Sequence, residues 1–236
     1  MDDGWNASAQ AWIESIGQYG DWGRRHVLDR PMLERCRDRG FIRALDVGCG
    51  EGRFCRMLAA EGMETIGIDP TTALIEHARK RHPSGDYRIG NASAVGLADM
   101  SVDLVIFYLS LIDISDLDAA IEEARRVLRP GGRVLIANLQ AFNTAAVGLG
   151  WSKEIDGSRR VCIDNYLDER PLRAEWAGIS IINWHRPLGR YMSALLAAGF
   201  VLRHFEEPEP VGDDSAKADR YRRVPYLIVM EWEKLE

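Results

Sequence analysis

The sequence predicts an α/β fold, a mostly parallel sheet with crossover helices, and two observations carry that expectation. From residue 41 onward, short β-rich runs alternate with helical stretches: FIRALDV, a helix from about Arg53, ETIGID, a helix through LIEHARKRH, then DYRIGN and VDLVIFYL. A helix between successive strands is the crossover that a parallel pair requires. The second observation is ALDVGCGEGRF (44–54), an apolar strand running through a glycine-rich turn into a helix. Glycines 48, 50 and 52 permit sharp turns and let a ligand approach the main chain.

The elements follow in order. Trp5, Ala9, Trp12, Ile13 and Ile16 fall at helical spacing, so an N-terminal helix outside the α/β repeat is expected to end near Gly17 and Gly20. After VDLVIFYL comes a helix with Ser115 as its N-cap, apolar positions at Leu117, Ile121, Ala124, Val127 and Leu128, and PGG at 130–132 as its stop. The strand RVLIANL follows. There the alternation breaks: RRVCIDNYL and RAEWAGISIIN, separated by DERP, read as one hairpin inserted above the sheet. A helix through YMSALLAAG, opened by Pro187 and closed by Gly199, resumes the pattern. The strands FVLRHFEE and VPYLIVMEW then flank PEPVGDDSAKADRYRR, which reads as a mobile loop.

Composition narrows the function classes. A chain of 236 residues, 46% hydrophobic, suits a single domain. A net charge of -6 argues against a nucleic-acid partner, because neutralising phosphates takes a clustered excess of Lys and Arg. The run RRHVLDR (24–30) is too short to reverse that. No apolar stretch is long enough to span a bilayer, and the acidic, polar start MDDGWNASAQ is unlike a signal peptide, so a cytoplasmic protein without a membrane partner is expected. Cys36, Cys49, Cys55 and Cys162 lack CxxC or Cys/His spacing, which indicates reduced, packed thiols and no metal site.

The chemistry begins at the second strand. GID places Asp69 21 residues after Gly48, where a carboxylate accepts hydrogen bonds from both ribose hydroxyls. A nucleoside ligand follows, but not its kind. The spacing GxGxG differs from the GxGxxG that seats a dinucleotide pyrophosphate on a helix N-terminus.

With DVGCGEG, GIDPT, YRIGNASA, VDLVIFYLSL and RVLRPGGRVLIAN in this order and spacing, the chain resembles the class I S-adenosylmethionine-dependent methyltransferases, of bacterial small-molecule type, over about residues 41–140. The resemblance implies a Rossmann-like three-layer sandwich: a seven-stranded, mostly parallel sheet of order 3-2-1-4-5-7-6, an N-terminal helical cover and a β-rich insertion after strand 5. The single domain then divides into an N-terminal cap (1–40), a cofactor-binding core (41–140), a substrate-side lid (141–186) and a C-terminal helix with strands (187–236). The implied cofactor is S-adenosylmethionine, leaving as S-adenosylhomocysteine. Asp46, Gly48, Cys49 and Gly50 would hold its methionine portion and Asp69, followed by Pro70, its ribose. Asn91 and Ala92 would lie beside the adenine. Asn91 departs from the aspartate usual there, although its side-chain oxygen can still accept a hydrogen bond. Phe107 and Tyr108 would flank the sulfonium, an arrangement favourable for a cation, with a core aromatic as the competing reading of Phe107. Tyr19, on the N-terminal cover, would approach the methionine carboxylate, with Arg24 and Arg25 as alternatives by charge.

The insertion carries the expected acceptor site: Trp151, Tyr166, Trp176, Asn183 and His185. Aromatic cover with few lysines suits a small, partly apolar or aromatic metabolite methylated on O, N or C. His185 is the candidate base or acceptor anchor, because a helix N-terminus follows it and favours neutral imidazole. The competing reading is a histidine satisfied by backbone hydrogen bonds. Asp113 in LIDISD is a second candidate near the mouth, but a turn or capping role is preferred for it. The rival functions are a protein that binds the cofactor without transferring a methyl group and a nicotinamide-dependent oxidoreductase. A small-molecule acceptor is the expected partner, and the expected state is monomer or homodimer.

Overall fold

The computed structural model describes residues 3–146, 150–212 and 215–235. The chain opens with α1 (Trp5–Ile16), then a π-helical turn (Arg24–Leu28) running directly into α2 (Asp29–Glu34). The core follows as β1 (Arg43–Val47), α3 (Arg53–Ala60), β2 (Glu64–Asp69), α4 (Thr72–Arg81), β3 (Asp86–Ile89), β4 (Val102–Tyr108), α5 (Leu117–Val127) and β5 (Leu128–Leu139). Next come α6 (Ala141–Ala145), β6 (Gly150–Lys153), β7 (Arg159–Cys162), β8 (Arg170–Trp176) and β9 (Ile179–His185). The chain closes with α7 (Leu188–Ala197), β10 (Phe200–Glu206), α8 (Ala216–Arg223) and β11 (Leu227–Lys234).

Seven strands form one sheet in the order β3-β2-β1-β4-β5-β11-β10. Numbered by themselves along the chain, these strands read 3-2-1-4-5-7-6. The first five are parallel, and β11 runs antiparallel to both β5 and β10. The pleat sorts side chains between two cores. Val105 and Phe107 of β4 join the core under α5 and α7, whereas Leu104, Ile106 and Tyr108 join the core under α2 and α3. Strand order reverses between β1 and β4, so the connections leaving them diverge to opposite faces and open a crevice at their carboxyl ends. Among the described residues, no helix is long and apolar enough to cross a membrane, and no group of metal-binding side chains forms.

Three expectations are corrected. The insertion is two hairpins: β6 pairs with β7 and β8 with β9. RAEWAGISIIN is itself the second hairpin, because Trp176 pairs with Ile179 across a two-residue loop in which Ala177 and Gly178 both take positive φ. That is the backbone a tight hairpin turn demands, and alanine there disguises it. The segment read as a mobile loop contains α8, capped by the Ser215 hydroxyl on the Ala218 amide, with Tyr221 stacked on Tyr226. Asp213 and Asp214 of that segment lie outside the described residues. The N-cap of α5 is Asp116, whose carboxylate accepts from the Ala119 amide at 3.0 Å, and not Ser115. Cys36, Cys49 and Cys55 are buried free thiols, while Cys162 is exposed.

Candidate active site

A cavity of about 760 Å³ opens at the carboxyl ends of β1, β2 and β4, within the size range of small-molecule sites. Its floor is the β1–α3 loop. Gly48 has φ 75° and its α-carbon faces Ser110 so closely that a Cβ would lie 2.5 Å from the Ser110 Cβ, so only glycine fits. The Gly48 and Cys49 amides both donate to the Ile68 carbonyl, at 2.7 and 3.0 Å, tying this loop to β2.

Two carboxylates stand over the floor. Asp46 is 2% exposed; its Oδ2 receives the Cys55 thiol at 3.5 Å, and its Oδ1 has no partner. Burial pushes this carboxyl up to about 7. Asp69 is held differently, accepting from the Gly50 amide at 2.9 Å and the Thr71 amide at 2.8 Å. Burial nevertheless raises its proton affinity, against those two hydrogen bonds.

Further along the wall, Arg53 forms a two-point ion pair with Asp29, which also accepts from the Tyr108 hydroxyl at 2.8 Å. Arg24 pairs with Asp21, and its guanidinium lies 5.0 Å from the Trp12 ring centroid. The roof is α1 latched to the β8–β9 hairpin. The Ser8 hydroxyl donates to the Ser180 carbonyl, and the Ser180 amide donates back to it. The Ile182 amide donates to the Asp3 carbonyl at 2.8 Å. Trp5, Trp12 and Trp176 line the cavity from this roof, their rings meeting edge to face. At the far end Trp22, Lys217 and Tyr221 enter the wall, bringing α8 to the site.

The structure thus brings together Asp46, Gly48, Cys49, Gly50, Asp69, Pro70, Asn91, Ala92, Tyr108, Trp176 and Asn183. Five expected residues fall elsewhere. Tyr19 is 69% exposed and only its carbonyl takes part, accepting from Arg53 at 3.3 Å. Phe107 is a core side chain, since adjacent residues on a strand point to opposite faces and Tyr108 takes the cavity side. Trp151 packs beyond the cavity and donates to the Tyr226 hydroxyl at 2.9 Å. Tyr166 uses its hydroxyl to accept from the Leu188 amide and its ring to cover His185.

His185 is the main correction. It is fully buried, with Nε2 2.9 Å from the Tyr166 carbonyl and Nδ1 2.6 Å from the Thr144 hydroxyl. A carbonyl only accepts, so Nε2 carries the proton and Nδ1 accepts from Thr144. Burial lowers the imidazole's proton affinity, and both ring nitrogens are spent. The satisfied histidine is therefore the reading the geometry supports. Asn91 is also more engaged than expected, its Oδ1 already accepting from the Ser93 amide and hydroxyl.

Sequence reasoning missed Trp22, Asp29, Arg53, Lys217 and Tyr221 as cavity or supporting residues. Arg53 lies within the glycine-rich segment itself, but no local motif marks the other four, because the turn before the π-helical stretch, α2 and α8 reach the site from separate parts of the chain. Only the Trp5 and Trp12 helical stripe carried a signal, and it reads equally well as ordinary packing.

Comparisons with known proteins agree with this architecture. The family profile described as a methyltransferase domain matches residues 45–136. The malonyl-[acyl-carrier protein] O-methyltransferase of Serratia marcescens is 36% identical over 159 residues, covering 66% of this chain and 61% of that protein. That of Yersinia pestis is 35% identical over 122 residues, covering 52% and 45%. The chain thus spans less than two thirds of the length of these curated relatives. A solved S-adenosylmethionine-dependent methyltransferase from Mesorhizobium loti shares the fold, with a TM-score of 0.81, 24% identity, and coverage of 92% of this chain and 100% of that one. The glycine-rich floor, the acid at the end of β2 and the matched core agree: residues 45–136 are similar to methyltransferase domains, and the chain shares the fold of a solved S-adenosylmethionine-dependent methyltransferase.

Proposed function

We propose that the chain transfers a methyl group from S-adenosylmethionine to a small, partly apolar acceptor held in the same cavity. One observation carries the reading: a buried carboxylate oxygen without a partner on Asp46 and an amide-held carboxylate on Asp69 share one cavity beneath tryptophan rings. The residues present fit the cofactor. Asp46 Oδ1 suits its ammonium, Asp69 its ribose hydroxyls, and Ala92 leaves room for the adenine. Arg24, in place of the exposed Tyr19, suits its carboxylate. When bound, the cofactor supplies an electrophilic methyl group on a sulfonium.

The protein's own contribution is alignment and exclusion of water. Trp5, Trp12 and Trp176 close the roof, and the latch between Ser8 and Ser180 holds α1 against the hairpin. The matched family profile ends at residue 136, before the insertion that covers the acceptor side. The cavity, roofed by tryptophan rings, itself suits a small, partly apolar acceptor.

Calorimetry separates the possibilities. S-adenosylhomocysteine should bind and NAD should not, and the reverse result would overturn the reading. Methylation of a broad panel of amines and hydroxyl compounds distinguishes an enzyme from a cofactor binder. The affinity should also depend on pH with a definite sign. Asp46 is neutral below about 7 and pairs with an ammonium only when ionised, so binding should strengthen about tenfold from about pH 6 to about pH 8. Asp46→Asn should flatten that dependence. A profile that stays steep in the variant would remove Asp46 from the site.

A further inference from the structure

Asp113, in the loop between β4 and α5, lines the cavity. Because Asp116 caps α5, the Asp113 carboxyl is not used by the helix. Its Oδ1 accepts from Asn183 Nδ2 at 2.5 Å, and the Trp5 side chain provides a further hydrogen bond. The loop is rigid. The Asp113 amide donates to the Ser110 carbonyl at 2.9 Å, the Trp184 amide donates to the Ile112 carbonyl at 2.5 Å, and Arg186 donates to the Leu111, Ile114 and Ser115 carbonyls.

The charges around Asp113 are one-sided. Asp69 of β2 and Asp3 ahead of α1 act on it from the cavity, and Tyr191 of α7 lies within electrostatic reach on another side. The nearby cation, Arg186, spends its guanidinium on the loop carbonyls and an ion pair with Glu169. Burial, reinforced by Asp69 and Asp3, pushes the Asp113 carboxyl well above the usual range, against the hydrogen bonds from Asn183 and Trp5. A carboxylate with raised proton affinity is a stronger base than an exposed one. A second carboxylate brought beside Asp3 and Asp69 would meet like charge, and Arg186, the cation beside this loop, is already engaged by the loop carbonyls and Glu169.

Resting on the methyltransferase reading above, we propose that Asp113 receives the N–H or O–H group of the methyl acceptor, making the acceptor an amine or a hydroxyl compound and not a carboxylate. The acceptor lone pair forms the bond to the methyl carbon while the carbon–sulfur bond breaks with its electron pair left on sulfur, giving a neutral thioether. The acceptor's proton passes to Asp113 Oδ2, the oxygen not taken by Asn183. Asn183 is a positioning residue that fixes the plane of the carboxyl group.

The test is calorimetry on the protein saturated with S-adenosylhomocysteine, using 2-phenylethylamine, 2-phenylethanol and phenylacetate as probes. The amine and the alcohol should bind wild type at least about tenfold tighter than phenylacetate. Asp113→Asn should bring the three within about threefold while keeping the S-adenosylhomocysteine affinity and the melting temperature near wild type. Asp113→Ser is a second variant should the first fail to fold. Phenylacetate binding as tightly as the others, a preference that persists in the variants, or no probe binding at millimolar concentration would overturn the inference. A wild type that does not bind S-adenosylhomocysteine would overturn the cofactor reading, and this inference with it.

Discussion

Asp69→Ala is expected to weaken S-adenosylhomocysteine binding about 100-fold. A ribose placed over β2 would give the carboxylate two charge-assisted hydrogen bonds, each worth about 1.5 kcal/mol, and about 1.4 kcal/mol corresponds to a factor of ten. The same side chain anchors the floor through the Gly50 and Thr71 amides, so its loss also releases the loop that carries Gly48. Asp69→Asn keeps the shape and one acceptor oxygen, and should fall between the two, about tenfold weaker than wild type. Titration calorimetry reads all three proteins directly. Wild-type affinity in the alanine variant would place the ribose elsewhere.

His185→Ala should act on stability and not on chemistry. Removing the ring leaves a cavity in a fully buried site and strips partners from the Thr144 hydroxyl and the Tyr166 carbonyl. Together these cost about 3 kcal/mol. For a domain of this size that lowers the melting temperature by about 6 to 12 °C. Turnover measured well below the new melting temperature should stay close to wild type, because neither ring nitrogen faces the cavity with a free position. A variant that melts like wild type but loses most of its turnover would restore the base assignment.

The two positions show why parts of the site were legible and others were not. Asp69 stands at the end of an apolar strand a set distance from a glycine turn, and both signals are local. His185 sits on the same face of β9 as Asn183, one pleat further along, and its surroundings depend on α6 and Tyr166 closing over it. Phe107 and Tyr108 cannot both face the crevice, because the alternation of a strand allows only one of two neighbours to do so. The β8–β9 hairpin was hidden by an alanine in a left-handed turn position, and α8 by a polar run whose apolar contacts are confined to Ala218 and Tyr221. Tyr19 follows the end of α1 and turns to solvent, so its nearness to the N-terminal cover does not bring its ring to the cavity.

The sequence by itself determined the repeating part of the main chain: the alternation of strands and helices from residue 41, the glycine turn at 48–52, the acid at 69 and the closing glycine at 199. Each of these is a constraint within a few residues, set by period, by φ or by chain reach. The tertiary structure alone decided which side chains face the cavity and which only pack. The bonds that decide it join Asn183 to Asp113, His185 to Thr144 and Tyr108 to Asp29, pairs 70, 41 and 79 residues apart. No local pattern encodes such pairs, because burial and hydrogen bonding are settled only when separate elements close over one another.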